Sequence, residues 1–173
     1  VMTVENNYRY IWGLHDGSMT WEDCDLYRIA ENAMDSLTTT AEAENVRLDL
    51  SGGHAMVYGV PQQLYSIVYN LCDNAIKYHT AEGKVWVRVN QDASGVTLQV
   101  QDNGIGIPED CQDRIFERFY RVDKSRSKAA GGTGLGLSIV KHAVLIHKAY
   151  IQVRSKPGIG SEFTVFFPNR KEK

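Results

Sequence analysis

Asn70, Asn74 and Lys77 fall at i, i+4 and i+7, so on a helix they form one polar stripe. Amide carbonyl oxygens suit a hard cation that keeps several waters, as magnesium does while holding a nucleotide phosphate. Lys77 adds a point charge for phosphate oxygens. The plain alternative for such a stripe is a solvated helix face. A second group is Asp102-Asn103-Gly104-Ile105-Gly106-Ile107-Pro108. Val96, Leu98 and Val100 alternate just before it, and period two puts Asp102 on their face. An ionised carboxylate there is costly unless something donates hydrogen bonds to it, and a purine amine is one such donor. Gly104 and Gly106 would let the backbone approach a flat ring. An Asp that caps its own turn is the other use of this tripeptide.

The third group is Gly131-Gly132-Thr133-Gly134-Leu135-Gly136-Leu137-Ser138, which runs into the apolar-periodic segment 139–146. A flexible turn that becomes a helix offers unpaired backbone N–H groups and the positive end of the helix dipole, a site for phosphate. Just upstream, the aromatic run Ile115-Phe116-Glu117-Arg118-Phe119-Tyr120-Arg121 can anchor a loop to the core. The basic segment after it, with Lys124, Arg126 and Lys128, suits a lid over phosphates, expected over residues 122–132, the plain alternative being a surface loop with solvated charges.

These groups need elements to hold them. Pro61 opens a helix that runs to Tyr78, with Leu64, Ile67, Val68, Leu71 and Ala75 on its apolar face. Another helix is expected from Asp25 to Ser36. Segments 46–50 and 55–58 read as a strand pair joined by Ser51-Gly52-Gly53. Strands follow at 85–89 and 96–100, and a helix begins near Thr133. Two closing strands lie at 150–154 and 162–167. Hairpins mixed with separated helices predict an α+β fold: a two-layer sandwich, its mixed, mostly antiparallel sheet covered on one face by helices.

Residues 1–18 read as the end of an upstream helix and linker, since Tyr8, Ile11 and Trp12 have helical spacing and Gly13 and Gly17 interrupt it. Residues 19–168 then form the domain and 169–173 a tail. With 173 residues and 43% hydrophobic content, one packed domain is expected. A net charge of −2 gives no reason to expect nucleic acid as a partner. No apolar run reaches the length of about 18 residues that a membrane span requires, and no signal peptide is visible. Cys24, Cys72 and Cys111 are odd in number and far apart, which suggests a reducing compartment and neither a disulfide frame nor a zinc site.

In order and content these segments resemble the ATP-binding catalytic domain of sensor histidine kinases, in the superfamily shared with gyrase, Hsp90 and MutL. Residues 70–78, NLCDNAIKY, look like the family's N box and DNGIGIP like its first glycine box. IFERFYRVDKSRS resembles its F box and lid, GGTGLGLSIVKH its second glycine box, and GIGSEFTVFFP its closing strands. The resemblance covers roughly residues 20 to 168. It implies that Asn74 ligates magnesium, that Asn70 supports metal and phosphates, and that Lys77 contacts phosphate. Tyr78 would lie near the nucleotide and Asp102 would accept from the adenine amine. Gly104 and Gly106 would shape the adenine pocket. Gly132, Gly134 and Gly136, with Thr133 and Leu135 between them, would shape the phosphate side. Arg121, Lys124 and Arg126 are further lid candidates.

Two places depart from the family pattern: Val60-Pro61 where an Asp is common, and His147-Lys148-Ala149 where His-Gly-Gly is common. The superfamily's hydrolases carry a water-activating Glu four residues before the metal-binding Asn. Asn70 stands there instead and is not a base, which implies phosphoryl transfer to a protein. None of His15, His54, His79, His142 or His147 suits the phosphoacceptor. His142 and His147 read as late-helix residues favoured by the dipole. The expected partners are therefore ATP with magnesium, a dimerisation and phosphoacceptor domain outside this chain, and a response regulator indirectly. The fragment alone is expected to be a monomer, the full protein a homodimer, and this part the cytoplasmic portion of a membrane-anchored sensor. The competing expectation is a non-catalytic nucleotide-binding module.

Overall fold

The computed structural model describes residues 19–120 and 135–169. After strand β1 (Glu22–Asp25), helix α1 runs from Leu26 to Ala43. Asp25 caps it by accepting from the Tyr27 N–H at 3.1 Å. Its buried face repeats at helical spacing through Leu26, Ala30, Ala33, Met34, Leu37 and Ala41. The helix passes well beyond Ser36, where the sequence reading ended it. Thr38 bonds back to the Met34 carbonyl at 3.2 Å, so a threonine run that reads as a break is absorbed into the helix.

Strands β2 (Val46–Gly52) and β3 (Met56–Gly59) do not form the expected hairpin. β3 pairs antiparallel with β1 in a separate two-stranded ribbon. β2 instead pairs parallel with β4 (Gly83–Gln91). At Gly52 a Cβ would stand 1.9 Å from the Val89 carbonyl oxygen, and the Gly53 N–H donates to that same oxygen. The glycines therefore carry the chain along β4 instead of reversing it.

Helix α2 (Pro61–Lys77) is the centre of the helical layer. Pro61 sits at its start, and Leu64, Ile67, Val68, Leu71, Cys72, Ala75 and Ile76 are buried. β5 (Gly95–Asp102), helix α3 (Gly136–Ile146), β6 (Tyr150–Lys156) and β7 (Gly160–Pro168) complete the fold. The main sheet has the order β2-β4-β5-β7-β6 and only the β2–β4 pair is parallel. Its inner face presents Val85, Val87, Val89, Val96, Leu98, Val100, Phe163, Val165 and Phe167 to the helices. This is the predicted two-layer architecture. Each buried Leu, Ile or Phe contributes about 1.5–3 kcal/mol to holding the layers together. The cysteines are free, as expected. Burial pushes the Cys72 thiol up to about 12, which leaves it an inert core residue.

Candidate nucleotide site

α2 presents Asn70, Asn74 and Lys77 along one half-buried face, as its spacing requires. The Asn70 Nδ2 donates back to the Ser66 carbonyl at 2.8 Å, which leaves its carbonyl oxygen turned outward. A Cβ on Gly136 would stand 3.3 Å from that oxygen, so Gly136, the first residue of α3, lies directly against it. Two segments far apart in sequence thus meet. Lys77 is not a bare cation. Its Nζ lies 2.9 Å from the Asp73 carboxylate, one turn back on α2. Sequence reasoning left Asp73 out, although Asp-x-x-x-Lys spacing was its signal. Among the described residues no group of three or more His, Cys, Asp or Glu could hold a metal. Asn70 and Asn74 offer neutral amide oxygens, which fit an ion that keeps its waters and arrives on phosphates.

Asp102 ends β5, where the sheet pairs it with Val85 on one side and Ser161 on the other. Burial pushes its carboxyl above the ordinary value, and the N–H groups of Gly104 and Ser161 pull it back. Its Oδ1 accepts from the Gly104 N–H at 2.8 Å. The turn-capping role therefore holds for that oxygen.

The glycine loop after Asp102 is fixed by the chain itself. The Ile105 N–H donates to the carbonyl of Tyr78, the residue that ends α2, at 3.2 Å. A Cβ on Gly104 would lie 2.4 Å from that carbonyl oxygen. Gly106 has φ +74°, and its Cβ would stand 2.1 Å from the Lys156 carbonyl oxygen. The need for glycine at both positions is met by the protein's own backbone before any ring is considered. Further pins hold the loop from outside. The Ser155 hydroxyl accepts from the Ile107 N–H at 2.7 Å, and the Gln112 amide donates to the carbonyls of Ile107 and Ser155. Asn103 accepts from the Lys84 N–H at 2.7 Å and donates to the Glu82 carbonyl. Ser155 and Gln112 have no local sequence signature, and sequence reasoning missed them.

The aromatic run does anchor the following segment. Ile115 is buried, and Phe116 meets Phe163 edge-on with centroids 6.3 Å apart. Lys141 of α3 lies over the Phe116 ring at 5.7 Å. Arg121, Lys124, Arg126, Gly132, Thr133 and Gly134 lie outside the described residues, as does the expected lid over 122–132. Leu135 caps α3 with its carbonyl, which accepts from the Ser138 hydroxyl at 2.7 Å and the Ile139 N–H at 3.0 Å. Among the described residues no side chain caps α3. Its first N–H groups and the positive end of its dipole therefore sit beside Asn70, where an anion gains most.

Comparison with known proteins bears on the family and the fold. Residues 59–171 match the family model described as histidine kinase-, DNA gyrase B-, and HSP90-like ATPase. The sensor histidine kinase RppB of Synechocystis is 41% identical over 150 residues, which cover 86% of this chain and 33% of that protein. The phosphate regulon sensor protein PhoR of Pseudomonas aeruginosa is 45% identical over 124 residues, covering 71% of this chain and 28% of that one. The solved structure of a mycobacterial sensor histidine kinase, MprB, superposes with a TM-score of 0.75 at 28% identity, covering 88% of this chain and all of that one. The chain thus spans about a third of the length of the curated relatives it matches.

Proposed function

The chain belongs to the histidine kinase-, DNA gyrase B- and HSP90-like ATPase family, and from that premise we propose that it is the ATP-binding catalytic domain of a two-component sensor histidine kinase. It binds Mg-ATP and passes the γ-phosphate to a histidine on a dimerisation domain outside this chain, from which a response regulator is served. The observation that carries the reading is the convergence of three separate segments on one place. The Asn70 oxygen faces Gly136, and the Tyr78 carbonyl is seated in the Asp102–Gly106 loop.

In this reading Asp102 accepts from the adenine amine with the oxygen that Gly104 does not occupy, and Tyr78 sits where the α2 end meets the adenine loop. Asn74 holds magnesium, and Asn70 steadies the metal and phosphates with its outward oxygen. Bound magnesium supplies charge neutralisation on the phosphate oxygens. Lys77 exchanges Asp73 for a phosphate oxygen. The start of α3, from Leu135 and Gly136, faces the phosphates. Asn70 cannot take a proton from water, so the arrangement positions a phosphoryl group without activating water, which favours transfer over hydrolysis. Among the described residues no helix is long and apolar enough to cross a membrane. We place the domain on the cytoplasmic side of a membrane-anchored sensor.

The test is an ATP titration with and without magnesium, followed by γ-labelled ATP with an added dimerisation domain. Magnesium-dependent binding and label on the added domain alone are expected. Absence of nucleotide binding would overturn the reading. Steady release of phosphate with no partner present would move the chain to the hydrolase branch.

A further inference from the structure

His147 ends α3 and reaches across to the start of α2. Its Nδ1 lies 2.7 Å from the Ala143 carbonyl, and its Nε2 lies 3.0 Å from the Val60 N–H. A carbonyl only accepts, so Nδ1 carries the proton. A backbone N–H only donates, so Nε2 is bare. The two partners together define a neutral ring in one tautomer.

The start of α2 needs such a partner. Val60 is its N-cap residue and offers no side-chain oxygen, and Pro61 brings no N–H. The position without the family's common Asp is thus capped by His147, which keeps the His of the His-Gly-Gly pattern. Gly59 makes room, since a Cβ there would stand 2.6 Å from Nε2. Trp21 packs on the ring with centroids 5.1 Å apart, and Phe167 meets it edge-on at 6.1 Å.

We infer that His147 is a positioning residue for the nucleotide site: as the neutral Nδ1–H tautomer it caps α2 from the far end of α3 and fixes the spacing of the helices that carry Asn70 and Gly136. The inference rests on the proposed function. Its mechanical basis is two contact points between the same helices. His147 meets Val60 at one end, and Gly136 meets Asn70 about 15 Å away, at 1.5 Å rise per residue. These two contacts hold the ends of a helix pair that also packs along its length through Val140, Ala143 and Val144.

The ring is also where acid would act. Trp21, Gly59, Val60, Ala143 and Phe167 face it from the surrounding elements, and none of them titrates near neutral pH. Tyr58 stacks on Trp21, and Lys148 follows in the chain and is exposed. Burial pulls the His147 pKa below the ordinary value, opposed only by the Ala143 carbonyl. A second proton would set N–H against N–H at Val60. With the folded pKa depressed, the cap is intact above the unfolded value and is lost as pH falls through the folded one.

The experiment compares wild type, His147→Gln and His147→Leu. Imidazole nitrogen NMR and the Val60 amide are followed from about pH 5 to pH 8, and Mg-ATP affinity is measured alongside. His142 titrates on the same helix, also shifted down by burial, so the pH readout is taken at the Val60 amide. An Nδ1–H ring is expected, with a Val60 shift that follows the His147 titration. His147→Leu should weaken ATP binding roughly three- to tenfold. His147→Gln, whose oxygen can accept from Val60, should restore affinity and abolish the pH dependence. A charged ring or an Nε2–H ring at neutral pH would overturn the inference, as would wild-type affinity in a folded Leu variant. If the Leu variant does not fold, the wild-type tautomer and the Gln variant decide. If wild type binds no ATP, the proposed function fails and this inference fails with it, whereas ATP binding left unchanged in a folded Leu variant overturns this inference alone.

Discussion

The adenine side and the phosphate side of the site are built on opposite plans. Around Gly104 and Gly106, backbone meets backbone: the Tyr78 and Lys156 carbonyls occupy the space a side chain would need. Ser155, Gln112 and Asn103 then pin the loop from three directions. On the phosphate side, one helix face offers Asn70, Asn74 and Lys77 as side chains, and Lys77 is already engaged by Asp73. The first region is shape and tolerates little. The second is chemistry on a scaffold that stands without it. Substitutions should therefore separate fold from function along this line.

The largest effect should come from Gly106→Ala. Its φ of +74° is a left-handed conformation, and a Cβ would stand 2.1 Å from a carbonyl oxygen. Backbone cannot yield as a side-chain tip can, so a loss of about 2–4 kcal/mol is expected. Urea unfolding would measure it. A midpoint equal to wild type would show that the loop can move, and the contrast between the two sides would collapse.

Asn74→Ala should do the reverse. Asn74 is half-buried and outside the hydrophobic core cluster, so the melt should move by only a few degrees. Loss of a ligand to a charged group should cost about 1.5–3 kcal/mol, roughly ten- to a hundredfold in magnesium-dependent affinity. Calorimetric titration with magnesium present and chelated is the check. Unchanged affinity would take the metal away from Asn74.

Asp102 lies on the adenine side but acts through its side chain, and its effect should be of similar size but visible in selectivity. Adenine offers an amine where guanine offers a carbonyl, so ATP should bind roughly ten- to a hundredfold tighter than GTP, and Asp102→Ala should erase the difference. pH gives an independent reading. Burial raises the folded pKa, so stability from this group is full below the unfolded value and is lost as pH rises through the folded one. The ionised carboxylate is the stronger acceptor for a purine amine. Nucleotide affinity should therefore climb over the same interval in which stability falls. Equal binding of ATP and GTP would remove Asp102 from base recognition.

The same contrast explains what could be read from sequence. Asn70, Asn74 and Lys77 were legible because a helix converts spacing into a face, and the apolar residues of α2 fix which face is free. The sheet's alternating strands placed Asp102 for a similar reason. Apart from the end of α1, where a threonine run continues the helix, the failures were questions of partner. Ser51-Gly52-Gly53 has the chemistry of a turn, yet β2 pairs with β4 and β3 with β1, and the Gly53 N–H donates to the Val89 carbonyl of β4. Local turn signals say nothing about which distant strand is waiting. Gly104 and Gly106 were correctly marked as close approaches, but the approaching groups belong to residues 78 and 156. His147 reads from sequence as a late-helix residue favoured by the dipole. The Val60 N–H, distant in sequence, makes it a neutral acceptor.

The smallest effect, and the one that probes how plastic the phosphate side is, should be at Asp73. Its ion pair with Lys77 is an i, i+4 contact with both side chains partly exposed, 21% and 30%. Such a pair contributes only about 0.3–0.5 kcal/mol, so Asp73→Asn should barely move the melt. Binding should respond more clearly, and in the favourable direction. The carboxylate competes with phosphate for the same ammonium and adds negative charge beside a polyanion. Removing it should tighten ATP binding by about two- to fivefold at low salt, and the gain should shrink as salt screens the charges. A titration series in added salt would show both features. Weaker binding in Asp73→Asn would mean that the pair holds Lys77 in its working position. The phosphate side would then be as pre-set as the glycine loop, and the division between shape and chemistry would no longer hold.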